Sequence, residues 1–173
     1  MKYIFIVIII FCFERLSCQT SIYSISITGL KGQTINLSDY KGKKIMIAAA
    51  TPAILQNGYL SFLDSLQAVY PSVAVIALPA LDFGGTDIAT IMDNIKNDSL
   101  VHVSLTPPSL VKKENGNNQN RLMQWLTNDT ENTHFNVEVL TDNQLYLVSK
   151  EGFLYAVLEK NVPLAVIDNL LKQ

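Results

Sequence analysis

The sequence predicts an α/β protein, with a central mixed β-sheet flanked by helices and preceded by an N-terminal β-hairpin. Two near-continuous apolar runs, "KKIMIAAA" and "SVAVIALP", are typical of strands that are buried on both faces of a parallel sheet. An amphipathic helical segment separates them, which indicates a βαβ unit with a right-handed crossover. Near the C-terminus, "QLYLVSKEGFLYAVLE" has the pattern of two apolar strands joined by a turn, and a helical segment follows it.

The segment before the first buried run predicts the N-terminal hairpin. "SIYSISI" alternates apolar and polar residues over 21–27, which favours a strand. Two glycines in "TGLKGQ" indicate a turn, and "TINL" returns to the extended pattern. Ser38 and Asp39 then begin a short helical turn that Gly42 ends.

Apolar residues spaced three and four apart predict the helices. The first helix follows the turn "ATPAILQNGY" and ends before Pro71. The second is predicted from Asp87 to Asn97, the third within "RLMQWLTN", and Pro163 begins the last one. "VHVSL" is short and extended, and "KKENGNNQN" is a polar loop. A βαβ half joined to a ββα half is the plan of the thioredoxin-like fold.

Composition limits the classes of function. A chain of 173 residues suits a single domain, and 49% hydrophobic residues is a globular rather than a disordered composition. The formal net charge is −2, and the sequence contains no basic cluster. Nucleic acid is therefore not an expected partner, because phosphate binding requires concentrated Lys and Arg.

Residues 1–18 predict a signal peptide, which leaves residues 19–173 as the domain. Lys2 supplies a basic start, and the apolar run Tyr3–Phe13 has the length of a secretory signal core but is too short to span a bilayer as a helix. A small, polar patch around Cys18 then offers a cleavage site. The expected location is therefore outside the cytoplasm, either periplasmic or as a membrane-anchored lipoprotein.

Three fates of this leader remain open. Cleavage would release the domain, or Cys18 would be lipidated and attach it to the membrane. In the second case Leu16-Ser17-Cys18 resembles a degenerate bacterial lipoprotein box, although Arg15 departs from the usual apolar residue. An uncleaved N-terminal anchor is the third. Cys12 and Cys18 are the only cysteines, so the sequence has no thiol after Cys18 and the domain cannot form an internal disulfide.

Four segments, in order, resemble the glutathione peroxidase family. They are "ISITGLKGQTINLSDYKGKKIMIAAAT", "LPALDFGGTD", "SLVKKENGNNQNRLMQWLT" and "YLVSKEGFLYAVL", and together they extend over about Ser24 to Leu171. Each motif is weak alone, whereas four with natural spacing are fairly specific. The resemblance implies a thioredoxin-like fold and, in members with an intact site, the reduction of peroxides.

The resemblance also implies that the catalytic tetrad of the family is absent. The reactive cysteine or selenocysteine corresponds to Ala53, the glutamine to Asp82, and the tryptophan and asparagine to Thr141 and Asp142. Peroxide reduction needs a soft, ionised nucleophile, and an alanine methyl group cannot attack. Carboxylates at Asp82 and Asp142 would also oppose a nearby anion. No catalytic residue is therefore predicted.

Other polar residues offer weaker hypotheses. If the geometry of the family holds, Asp82 and Asp142 lie near one another and could hold a cation such as Ca²⁺, or one could have a raised pKa; otherwise they are solvated acids at the rim of an open pocket. His102 and His134 are far apart in the sequence and lack cysteine partners, which disfavours a metal site. No metal and no cofactor is expected.

The favoured interpretation is an exported, glutathione peroxidase-like protein that has lost thiol peroxidase activity. It would act as a binding or structural module for a protein or small ligand that the sequence does not identify. The alternative is a peroxide-reducing oxidoreductase of the oxidative stress response. A binding module should keep an open cleft beside Ala53, Asp82 and Asp142.

Overall fold

The computed structural model describes residues 20–85, 88–97 and 102–173. The predicted signal peptide, with Cys12 and Cys18, lies outside the described residues, as does Asp87 at the predicted start of the second helix. Within the described ranges the predicted fold class is confirmed. A mixed five-stranded sheet has helices on both faces, and a two-stranded hairpin precedes it.

The N-terminal hairpin is built from two short strands, β1 (Ser26–Thr28) and β2 (Thr34–Asn36). They pair antiparallel, with Ile27 opposite Ile35. A 3₁₀ turn over Leu37–Tyr40 follows β2, as predicted from the sequence. The hairpin forms a separate two-stranded sheet and does not extend the central one.

The predicted strand over 21–27 is wrong in its first half. Residues Ile22–Ser24 form a 3₁₀ turn, which is closed by a hydrogen bond from the Ile25 N–H to the Ile22 carbonyl at 3.1 Å. In this turn Ile22 is fully buried while Ser24 is exposed. A 3₁₀ turn can therefore bury one residue and expose another, as a strand would. Over so few residues, the alternation of apolar and polar residues does not distinguish a strand from a 3₁₀ turn.

Five strands form the central sheet. Their bounds are β3 (Lys44–Ala50), β4 (Val73–Pro79), β5 (Ser104–Leu105), β6 (Asn143–Val148) and β7 (Leu154–Leu158). The order across the sheet is β5-β4-β3-β6-β7. β3 pairs parallel with β4 and antiparallel with β6. At the edges, β5 pairs parallel with β4, and β7 pairs antiparallel with β6. The predicted terminal hairpin is thus β6 and β7, and it turns at Gly152, where φ is +92°.

β3 and β4 form the centre of the core, because every residue of both strands is buried. Successive side chains of a strand point to opposite faces of the sheet. On β3, Ile45 and Ile47 therefore lie on one face of the sheet, in an apolar cluster with Trp125 that we call the front cluster. Met46 and Ala48 lie on the other face, in a second apolar cluster that we call the back cluster.

Helices cover both clusters. Their bounds are α1 (Pro52–Ile54), α2 (Leu60–Val69), α3 (Ile88–Asn97), α4 (Arg121–Thr127), α5 (Asp129–Asn132) and α6 (Leu164–Lys172), with a further 3₁₀ turn at Lys113–Asn118. Residues of α2, α3 and α6 pack in the back cluster, and α4 packs in the front cluster. Across the described helices, none is long and apolar enough to cross a bilayer.

The chain between β3 and α2 is not a regular helix. A π turn over Leu55–Tyr59 joins α1 to α2, and Asn57 and Gly58 leave the helical region within it. Gly58 has φ +93°, a conformation that glycine adopts without the steric penalty of a Cβ. The predicted amphipathic helix is confirmed from Leu60 onward, and Tyr59 lies at its N-cap.

One fully buried asparagine, Asn132, organises the segment after α4. Its Nδ2 donates to the carbonyls of Trp125, Leu126 and Phe135, and its Oδ1 accepts from the N–H groups of His134 and Phe135. The next residue, Thr133, has φ +67°, which is uncommon for a β-branched side chain. The hydrogen bonds of Asn132 stabilise this otherwise unfavourable backbone.

We predict that Asn132→Ala lowers the free energy of unfolding by about 2–4 kcal/mol, because it leaves several buried backbone groups without partners. Urea unfolding followed by circular dichroism measures the change. Asn169→Ala is the matched control, because Asn169 is exposed on α6 and its removal should change stability by less than about 0.5 kcal/mol. Equal losses in the two variants would contradict the prediction.

Candidate functional site

The site predicted from the sequence begins at the turn that follows β3. Thr51 caps α1, because its Oγ1 accepts a hydrogen bond from the Ile54 N–H at 3.4 Å, and Pro52 occupies the first helical position. Ala53 comes next and is exposed. The fold thus presents position 53 at the carboxyl end of a central strand, where open α/β sheets bind ligands, yet the side chain there is a methyl group.

Ala53 lines a cavity of about 340 Å³, which we call the Ala53 cavity. Other residues of its wall are Phe83, Gly84, Ile88, Ile91 and Asp142. The Thr51 N–H donates to the Asp142 carbonyl at 3.0 Å, so the turn after β3 and the segment before β6 are joined directly. Ala53 and Asp142 therefore meet at one cavity, whereas the cleft expected of a binding module was to include Asp82 as well.

Asp142 is paired with a lysine. Lys160 Nζ lies 2.8 Å from Asp142 Oδ1, and about a third of the Asp142 side chain is exposed. The carboxylate thus has a cationic neighbour that the sequence analysis did not foresee. Because Lys160 offsets the charge of Asp142, the pair repels a nearby anion less than an unpaired carboxylate would.

Asp82 does not line the Ala53 cavity. Its Oδ2 accepts a hydrogen bond from the Val111 N–H, and its Oδ1 accepts one from Asn115 Nδ2. The carboxylate therefore holds the loop before α4 in place. The hypothesis that Asp82 and Asp142 form a cation site or a coupled pair finds no support, because each carboxylate has its own separate partners.

Thr141 also lies outside the lining of the cavity. Its Oγ1 donates to the Asn143 carbonyl at 3.0 Å, which closes the turn before β6. Of the four positions that the sequence resemblance aligns with the tetrad, the structure brings Ala53 and Asp142 to one cavity, while Asp82 and Thr141 hold loops.

No protein-family model matches the chain, and no curated protein matches it. Solved structures do match over most of its length. Trgpx in its apo form superposes with a TM-score of 0.63 at 16% identity, over 88% of this chain and 94% of that one. GPX1 of T. cruzi gives 0.59 at 18% identity, over 88% and 95%. The exposed lipoprotein thioredoxin Etrx1 from Streptococcus pneumoniae gives 0.56 at 18% identity, over 86% and 97%.

The chain has a thioredoxin-like fold.

Two of these structures are glutathione peroxidases, so the likeness in structure and the resemblance in sequence indicate the same fold. At these identities the likeness shows the fold and no activity. In this fold, Ala53 lies just after the central strand β3, in the short helix α1.

The two histidines are in separate environments of this thioredoxin-like fold. The His102 N–H donates to Asp64 Oδ1 at 2.9 Å, and the His134 ring lies against Phe153. Partial burial raises the pKa of Asp64, but the hydrogen bonds from His102 outweigh this effect and hold the pKa below its ordinary value. Over residues 20–85, 88–97 and 102–173, no group of three His, Cys, Asp or Glu is placed to hold a metal ion.

Sequence reasoning missed Lys160 and the wall formed by Phe83 and Gly84. Gly84 has φ +74°, as in a turn, but the sequence has no local signal for the contact of Phe83 and Gly84 with the cavity. Lys160 follows β7 and reaches Asp142 only because β6 and β7 are neighbouring strands.

We predict that Asp82→Ala lowers the free energy of unfolding by about 1–3 kcal/mol, because it removes the acceptor of the buried Val111 N–H. Asp142→Ala is the control. It breaks only a partly exposed ion pair and should lower the free energy by at most about 1 kcal/mol. Urea unfolding compares the two variants, and a larger loss for Asp142→Ala would show that the two carboxylates were assigned wrongly.

Proposed function

We propose that this chain is an exported, glutathione peroxidase-like protein that has lost thiol peroxidase activity and acts as a non-catalytic binding or structural module. The observation that carries the proposal is the exposed Ala53 on the wall of an open cavity, in the turn where the resembled family holds its nucleophile. The scaffold and the cleft are present, whereas the reacting atom is not.

The chemistry of the residues supports the loss of activity. Peroxide reduction requires a thiolate or selenolate that attacks one peroxide oxygen. After Cys18 the sequence contains no cysteine. The Ala53 cavity instead has apolar walls, with the Asp142–Lys160 ion pair at one side. Such a site is suited to holding a group rather than to transferring electrons.

The sequence of the leader supports export. Residues 1–18 have the features of a secretory signal, and Cys18 is the candidate for lipidation. Etrx1, which has a similar fold, is described as an exposed lipoprotein, so a thioredoxin-like domain on a lipid anchor has a structural parallel. We include membrane attachment through an acylated Cys18 in the proposal.

The test is peroxide consumption by a Cys12→Ser/Cys18→Ser variant, which has no thiol at any position, with glutathione or thioredoxin as reductant. We expect no consumption above the background rate. Ala53→Cys in the same variant should gain consumption, because a thiol then stands in the nucleophile's turn. Ala68→Cys is the matched control, since Ala68 is exposed on α2 and does not line the Ala53 cavity.

Two results would count against the proposal. Turnover of peroxide by the Cys12→Ser/Cys18→Ser variant itself would favour the alternative, a peroxide-reducing enzyme that uses some group other than a cysteine. Equal rates for Ala53→Cys and Ala68→Cys would show that position 53 has no special relation to the family's nucleophile.

A further inference from the structure

The chain contains two Asn-Gly sequences, Asn57-Gly58 and Asn115-Gly116. Such a sequence is chemically labile, because glycine has no Cβ to shield its backbone nitrogen from the side-chain amide of the preceding asparagine. Both glycines have a positive φ, +93° and +54°, and a Cβ added to either would meet no atom within 4 Å. The two sites therefore differ at the asparagine and not at the glycine.

The side chain of Asn115 is fixed by two hydrogen bonds. Its Nδ2 donates to Asp82 Oδ1 and, at 3.0 Å, to the Lys112 carbonyl. The residue is also half-buried. A carboxylate at position 115 would lie against the carboxylate of Asp82, and two like charges in contact are unfavourable. The structure thus opposes both the departure of the amide nitrogen and the formation of an acidic product at this site.

Asn57 has none of these restraints. It is exposed, and within the described ranges no residue forms a hydrogen bond with its side chain. Its backbone also leaves the helical region, with ψ +36°, inside the π turn that joins α1 to α2. A regular helix fixes ψ near −42° and so restricts the rotation that brings an asparagine side chain to the next backbone nitrogen. The turn leaves this rotation open at Asn57.

We propose that Asn57 is a site of spontaneous deamidation and that the fold protects Asn115 from the same reaction. The backbone nitrogen of Gly58 loses its proton to hydroxide and attacks Cγ of Asn57, so that an N–Cγ bond forms. The Cγ–Nδ2 bond breaks, and the side-chain nitrogen leaves as ammonia. Water then opens the five-membered imide ring at either carbonyl, which gives aspartate or isoaspartate at position 57. The only reactant consumed is water.

Either product changes the segment that joins α1, on the wall of the Ala53 cavity, to α2. Aspartate adds a negative charge to the turn. Isoaspartate adds a carbon atom to the backbone inside the loop that the hydrogen bond from the Leu60 N–H to the Leu55 carbonyl closes. This inference rests on the turn and not on any ligand, so it holds whether or not the protein reduces peroxide.

The experiment incubates the purified protein at mildly alkaline pH and physiological temperature, in buffer and in guanidinium chloride. Peptide mapping by tandem mass spectrometry follows the gain of one mass unit at each asparagine, and protein isoaspartyl methyltransferase detects isoaspartate. In the native protein, Asn115 should react at least about tenfold more slowly than Asn57, because two hydrogen bonds, one of them to a carboxylate, must break first. In the denaturant the two rates should become similar, since neither amide then has a fixed partner.

Two variants complete the test. Asn57→Gln, at an exposed position, should abolish the main isoaspartate signal of the native protein. Asp82→Ala should raise the rate at Asn115, and the rate at Asn57 in the same variant reports whether the fold is retained. A ratio of the two rates that is no larger in the native protein than in guanidinium chloride would overturn the proposal, as would an isoaspartate signal that survives Asn57→Gln.

Discussion

The structure depends on the burial of one strand, β3, on both faces and along both edges. Every residue of Lys44–Ala50 is buried, and the strand pairs with β4 on one side and β6 on the other. Its alternating side chains are shared between the two apolar clusters. A polar residue or a change of register here would expose one cluster and disrupt the other, so the remaining elements are arranged around this strand.

Both ends of β3 are anchored to other elements. At its start, the buried Lys44 donates through Nζ to the carbonyls of Leu170 and Leu171 at the C-terminus of α6, where a cation complements the helix dipole. Burial of this ammonium group, together with the charge of Lys150, lowers the pKa of Lys44. At the other end, the register sets Ala50 opposite Asn143, which brings Thr51 within hydrogen-bonding distance of Asp142. The candidate site is a direct consequence of this pairing.

The same junction separates two cavities. Asp142 lines the Ala53 cavity, and the next residue, Asn143, lines the cavity between α2 and α6. Neighbouring residues at the start of a strand point to opposite faces, so one short segment contributes a polar group to each. The segment around Asp142 and Asn143 thus borders two cavities of different charge: the Asp142–Lys160 ion pair is at one, and Glu159 is at the rim of the other.

The sequence by itself determined the central strands, the two hairpins, the main helices and the absence of a thiol after Cys18, because these follow from local periodicity and from composition. It also indicated that Ala53 follows the central strand. Only the tertiary structure decided that Asp82 holds a loop while Asp142 reaches a cavity, and that Lys160 pairs with Asp142. The physical reason is the separation along the sequence between interacting residues. A periodic pattern indicates which side of a helix or strand is buried. The partner of a polar side chain, in contrast, lies on a segment that is distant in sequence and comes near only when the sheet forms.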